Sequence, residues 1–144
     1  MLVGNVLAAK GQGLITINPD ASVRQALALF VEHGIGSLPV VDASGKLVGI
    51  FTERDVLYGD HRDPEQFHRQ RMKEVMTPAP LTCRPDDAVH DVMGKMSRSH
   101  VGQLPVVDKG HVVGLVSVGD LIKWLYSHAE ATNEQLSAFL YGPG

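Results

Sequence analysis

Apolar residues recur along this chain in two rhythms. From Val23 they return at Ala26, Leu27, Phe30 and Val31, and from Val89 at Val92, Met93 and Met96. This i, i+3, i+4, i+7 spacing predicts two helices, each with one buried face. A short β-prone piece precedes each helix, at 14–17 and 81–83, and stops at Pro19 or Pro85. Asp20 and Asp86 then stand where a helix N-cap is expected. Glycines (Gly34 and Gly36 in the first case, Gly102 in the second) are expected to close the helices. The run LPVVD opens a strand after each, with Pro39 or Pro105 at its start, where a missing N–H costs least. Turns at 43–46 and 109–111 lead to LVGIF and VVGLV. Such unbroken apolar runs predict strands covered on both faces. Second helices are expected from 54–57 and 119–125. Each half therefore reads β-α-β-β-α, a mixed α/β unit.

The two halves are copies. Residues 15–42 align on 81–108 without gaps at an offset of 66, with ten of 28 positions identical. After one residue is lost in the turn, 46–57 matches 111–122 at an offset of 65. Self-similarity of this kind sets the architecture before any local reading. A half of this size is small for independent stability, so the copies are expected to pack together and share a core. The implied organisation is a first motif with its lead-in over 1–57, a linker helix over 58–75, a second motif over 76–126, and a C-terminal helix or tail over 127–144. The tail carries a weak amphipathic stretch at Leu136, Phe139 and Leu140.

Composition narrows the class. In 144 residues, 44% are hydrophobic and 20% charged, which suits a globular domain rather than a disordered or fibrous chain. No apolar run approaches the ~18–20 residues of a membrane span. The first residues lack the cationic and apolar regions of a signal peptide, so a cytoplasmic chain is expected. A formal net charge of −3 gives no electrostatic footprint for nucleic acid. One cysteine, Cys83, excludes an internal disulfide framework and a cysteine-based zinc site. Fifteen glycines and eight prolines are many for this length, and most serve as punctuation used twice. No triad, metal cluster or phosphate loop is present; GQG at 11–13 is too short for one. His61 and His68 lack a third partner at ligand spacing, and Arg69, Arg71 and Lys73 form a local basic cluster that reads as a solvated face or a charge lent to a phosphate. Trp124 reads as a core or dimer contact.

The repeated pattern of Thr, Pro and an acid, an amphipathic helix, a G-x-LPVVD strand, and then G-h-h-[ST]-x-x-D opening a helix, resembles the CBS domain. KEVMTP at 73–78 is similar to the usual lead-in of that motif. Two copies in tandem resemble a CBS pair, or Bateman module, of the small stand-alone bacterial and archaeal type. The resemblance covers roughly 120 residues. It implies a disc-like pair with pseudo-twofold symmetry and two clefts that bind adenosine-containing ligands: AMP, ADP, ATP, NAD(H) or S-adenosylmethionine. It also implies crossed sites, each mixing residues of both copies. One joins Thr82, Val101, Gly102, Gln103, Leu104 and Pro105 to Thr52, Arg54 and Asp55. The other joins Thr16, Ile35, Gly36, Ser37, Leu38 and Pro39 to Ser117 and Asp120. The corresponding function is a regulatory ligand sensor without catalysis, required cofactor, metal site, nucleic-acid partner or membrane partner. A homodimer and an unidentified downstream protein are its expected partners. The competing reading is a dimerising scaffold that binds no nucleotide.

The residues themselves support two roles. Asp55 and Asp120 each follow a hydroxyl residue by three positions at the start of a helix. An ionised carboxylate suits the two vicinal hydroxyls of a ribose, and a helix N-terminus favours a phosphate. The same spacing is that of a capping box, in which the acid reaches back to its own backbone. Both roles are compatible for the hydroxyl. Thr16 and Thr82 serve equally as strand residues, and 35–39 and 101–105 equally as turn-and-strand backbone. Arg54 has Gly119 as its counterpart, so the first cleft is expected to hold a phosphorylated ligand more tightly.

Overall fold

A computed structural model describes residues 1–11, 13–128 and 140. The expected C-terminal tail lies almost wholly outside the described residues. The first copy contributes α2 (Val23–His33), β1 (Ser37–Val41), β2 (Leu47–Thr52) and α3 (Glu53–Arg62). The second contributes α6 (Val89–Ser99), β4 (Gln103–Asp108), β5 (His111–Ser117) and α7 (Val118–Ser127). Ahead of the copies stand α1 (Val3–Lys10), and α4 (Pro64–Arg69), α5 (Met72–Val75) and β3 (Thr77–Pro78). Each copy folds its strands into an antiparallel hairpin, and β3 extends the first hairpin to three strands. The repeat extends to irregularities: the hairpins slip register at Val40/Val41 and at Val106/Val107, positions 66 apart.

Several local expectations change. The pieces at 14–17 and 81–83 form no strands; each makes one parallel bridge, Ile17 to Val40 and Cys83 to Val106, before the chain turns away. Asp20 and Asp86 are not caps. Ser22 caps α2, accepting from the Gln25 N–H at 3.1 Å, while Gln25 Oε1 accepts from the Ser22 N–H at 2.8 Å. Asp20 instead meets Lys73 at 3.0 Å and Arg71 at 3.7 Å, and the Lys73 hydrogen bond holds its carboxyl below the usual range. Two members of the basic cluster, Arg71 and Lys73, are thus engaged at the surface. Ala88 precedes α6 without a side-chain cap; the Val89 N–H finds the Met1 carbonyl at 3.0 Å. Gly34 ends α2 in the left-handed conformation (φ 62°), but its counterpart is His100 (φ 54°), not Gly102. Val31 is 84% exposed, so the buried stripe of α2 is Val23, Ala26 and Phe30. β5 is fully buried only at Gly114 and Val116.

The copies do not share one core as expected: two hydrophobic cores result, one for each copy, and they cross the chain order. The second copy packs Cys83, Val89, Val92, Met93, Met96, Leu104 and Leu121 around Val3 and Val6 of the N-terminal α1. The first copy packs Val23, Ala26, Phe30, Leu38 and Phe51 around Phe67 and Met72, from the segment read as a polar linker. Trp124 packs half-buried on the second core and stacks on His128 at 3.7 Å between ring centroids. Each hairpin leaves space for its neighbour through one glycine. A Cβ on Gly49 would strike the Met76 side chain and lie 3.0 Å from the Thr77 carbonyl oxygen; one on Gly114 would meet Leu7 at 2.6 Å. Gly49→Ala is expected to destabilise the protein by about 1–3 kcal/mol, the usual cost of overpacking. Chemical denaturation measures it, and an unchanged midpoint would contradict the close approach.

Candidate functional site

The two copies meet where their first strands begin. Ser37 and Gln103, 66 positions apart, face each other across the pseudo-twofold, and the buried Ser37 hydroxyl donates to Gln103 Oε1. A cleft opens on either side of this bond.

The first cleft has a volume of about 350 Å³. One wall carries Thr52, Glu53, Arg54 and Asp55 at the β2–α3 junction. The opposite wall carries Val101, Gly102, Gln103 and Pro105 of the second copy. These seven residues of the predicted first site (Thr52, Arg54, Asp55, Val101, Gly102, Gln103 and Pro105) therefore come together. Leu104 does not line the cleft; its side chain belongs to the second core. Thr82 is half-buried outside the lining, and its carbonyl accepts from Lys95 Nζ at 2.5 Å. Ile50, Thr77, Pro80, Leu81 and His100 also line the cleft and carried no sequence signal for it. His100 could have been found from its offset of 66 to Gly34, which puts it two residues ahead of the G-x-LP segment. No Cβ contact waits at Gly102, so that backbone borders open space.

The capping reading and the site reading of Asp55 hold together geometrically. Its Oδ2 accepts from the Thr52 N–H at 2.9 Å, and its own N–H donates to Thr52 Oγ1 at 3.4 Å. Its Oδ1 accepts from the hydroxyl of Thr77, another residue of the cleft lining, at 3.3 Å. The helix N-terminus carries Arg54 between two acids, Glu53 and Asp55, so this rim presents a cation and the helix dipole beside carboxylate acceptors.

The second cleft is much smaller, about 100 Å³. Ile35 and Ser37 of the predicted set line it, with Leu7, Lys10, Ile15 and Leu115. Thr16 does not; it borders a separate surface groove with Asn18, Asp20 and Asp42. Gly36 lines the first cleft instead, where its missing Cβ leaves space for the Glu53 carboxylate. Leu38 and Pro39 are buried, Leu38 in the first core. Ser117 and Asp120 do not line this space; they repeat the capping box, in which the Asp120 N–H donates to Ser117 Oγ at 3.0 Å and the Ser117 N–H to Asp120 Oδ2 at 2.9 Å. That carboxylate is already paired. Lys10 Nζ lies 2.8 Å from Asp120 Oδ2 and donates also to the Leu115 carbonyl at 2.9 Å. Burial pushes the Asp120 carboxyl up, but the Lys10 and Ser117 hydrogen bonds outweigh it and hold it below the usual carboxylate range.

A depression of about 520 Å³ on α3, α4 and α5 is larger than either cleft, but of the predicted residues it holds only Asp55. Its walls are mostly polar, among them Tyr58, Arg62, Gln66 and Gln70, unlike the predominantly apolar lining typical of small-molecule sites. Among the described residues no three histidine, cysteine or acidic side chains gather as metal ligands. His68 pairs with Asp60 at 3.3 Å. Burial pushes the Cys83 thiol up to about 11, which leaves it a core side chain rather than a nucleophile. No described helix is long and apolar enough to cross a membrane.

Comparison with known proteins matches the geometry. The CBS domain family model matches residues 11–61 and 72–127. An inosine-5'-monophosphate dehydrogenase of Korarchaeum cryptofilum is 36% identical over 123 residues, 85% of this chain but 24% of that enzyme. The chain thus spans about a quarter of the length of the curated enzymes it matches first. A CBS domain-containing protein of Bacillus subtilis, YhcV, is 30% identical over 74% of both chains. Among solved structures, the CBS domain pair of protein MJ0100 in complex with 5'-methylthioadenosine and S-adenosyl-L-methionine superposes with a TM-score of 0.77. It is 31% identical and covers 90% of this chain and 98% of that one. CBSX2 in complex with AMP gives a TM-score of 0.71 at 29% identity, over 79% of this chain and 88% of that one.

Proposed function

Because the chain belongs to the CBS-domain family, as a tandem pair of its motifs, we propose that it is a regulatory module that binds an adenosine-containing ligand in the first cleft and performs no catalysis of its own. The observation that carries this reading is the crossed cleft itself. A volume of about 350 Å³ falls within the ~300–1,000 Å³ of small-molecule sites. Its walls oppose the Thr52–Arg54–Asp55 helix start to the strand start at Val101–Pro105. In this reading the apolar walls hold the adenine, Asp55 accepts from the ribose hydroxyls, and Arg54 with the α3 N-terminus meets a phosphate. The ligands held by the related CBS pairs, AMP and S-adenosyl-L-methionine among them, are the first candidates; ADP, ATP and NAD(H) complete the set. Unequal affinity for two packings of the motifs is what would transmit ligand binding to a downstream protein. A cytoplasmic homodimer belongs to the same reading, with Leu57 and Tyr58 of α3 and Tyr126 of α7 exposed for pairing.

A thermal-shift screen with AMP, ADP, ATP, NADH and S-adenosylmethionine tests the proposal. At ~100 times its Kd a true ligand stabilises by roughly 2.7 kcal/mol, which in a chain of this size raises Tm by roughly 5–11 °C. No shift with any of the five would favour the scaffold reading, in which Asp55 and Asp120 serve only as caps.

A further inference from the structure

The two clefts descend from one repeat, yet their carboxylates have different companions. In the first, Asp55 Oδ1 accepts from the exposed Thr77 hydroxyl at 3.3 Å, a long bond to a group that turns to water by rotating about one torsion. Beside the second, Asp120 Oδ2, the oxygen that also takes the Ser117 N–H, holds the Lys10 ammonium at 2.8 Å, and the same ammonium is tied to the Leu115 carbonyl at 2.9 Å; Lys10 and Leu115 line the space that remains, and Asp120 does not. The difference has a backbone cause. The segment flanking the first cleft is extended at Thr77–Pro78, pairing with β2, whereas the segment flanking the second stays helical as far as Lys10. Leu7, one turn earlier on the same helix, is seated against Gly114 and fixes the approach. Both partners are largely withdrawn from water, 23% and 25% exposed, so the pair is less screened than a surface one. The space left beside Lys10, about 100 Å³, is less than a third of that in the first cleft.

We propose that Lys10 is an internal occupant of the second cleft: its ammonium neutralises the Asp120 carboxylate through Oδ2 and lines the remaining space, which Asp120 does not, so that each chain accepts one adenosyl ligand, in the first cleft. This rests on the adenosyl-binding reading above. Lys10 is an excluding residue that acts on ligand number and carries no chemistry. Replacing it by methionine keeps the stem packed beside Leu7 and removes the charge. Lys10→Gln, which keeps a polar tip, guards against a packing artefact.

Calorimetric titration with AMP and with adenosine tests the proposal, with melting curves reporting that each variant is folded. The wild type is expected to bind one equivalent and Lys10→Met two. The gained site should be at least tenfold tighter than any second binding in the wild type, the factor expected from freeing one charge-assisted acceptor. One equivalent in every protein overturns the proposal. So do two equivalents in the wild type with a second site that Lys10→Met weakens for AMP and not for adenosine, since Lys10 would then be a phosphate contact. If the wild type binds neither compound but Lys10→Met binds one equivalent, the occupant role stands and the first-cleft reading falls. If no folded variant binds either compound, both fall.

Discussion

Asp55→Asn is expected to weaken adenosyl-ligand binding by roughly 10- to 150-fold. The carboxylate serves two purposes with two oxygens. Oδ2 is turned inward to the Thr52 N–H, and Oδ1 is the oxygen left for hydroxyl donors, with Thr77 as its present partner. An amide keeps one acceptor oxygen and the shape, so the cap survives and stability should change by no more than about 1 kcal/mol. The negative charge is lost, and with it about 1.5–3 kcal/mol of charge-assisted hydrogen bonding to a ribose, which gives the stated factor. Asp120→Asn is the comparator: it should leave the tight site intact, because that carboxylate is held by Lys10. Arg54→Ala should weaken AMP by a similar factor while leaving adenosine nearly unaffected. Calorimetry on the three variants separates the roles. Unchanged binding in Asp55→Asn, or loss in Asp120→Asn alone, would remove Asp55 from the site.

The largest effect on stability is expected at Phe51. This side chain is fully buried. Its ring lies 5.8 Å from that of Phe30 and 6.3 Å from that of Phe67, so one residue of β2 ties α2 to α4. Phe51→Ala should cost about 3–5 kcal/mol, combining lost transfer energy, the cavity left behind and lost aromatic contacts. Tm should fall by roughly 6–20 °C. Calorimetric melting is the check. A loss below about 1 kcal/mol would mean the three rings do not form the keystone of the first core.

The repeat made most of the architecture readable. Once 15–42 is laid on 81–108, the helix–hairpin–helix order of each half follows from periodicity and punctuation alone. What escaped the reading has a common cause: long-range pairing overrides local preference. Asp20 is a good cap by type, but Ser22 has Gln25 three residues on, and Lys73 and Arg71 draw Asp20 away. The start of α6 needs no capping side chain, since the Met1 carbonyl reaches the Val89 N–H. Phe67 sits in a polar stretch whose periodicity is too short to reveal a buried face, yet it is core, beside Met72, which its type alone marks as core filling or a packing surface. In the candidate site, the strand-start and helix-start segments meet across the first cleft, but a segment is not a lining. Leu104 and Leu38 alternate inward to the cores, as strand geometry requires. Lys10 was invisible because it lies 110 positions from Asp120, on a helix with no copy in the repeat.

The crossing of the two cores also sets a timetable for the newborn chain. The N–H groups of Val3 and Gly4 are satisfied by the carbonyls of Asp87 and Pro85, and Lys10 by Asp120. At the ~5–20 residues per second of synthesis, the first eight-residue helix emerges on the order of 5–20 s before its last partner exists. A helix that short does not hold its shape alone in water, so it waits as an unstructured strand with Val3, Val6 and Leu7 uncovered. The residues of α1 are thus made well before they can be placed. Their docking closes the second core and delivers the Lys10 ammonium to Asp120 in the same event.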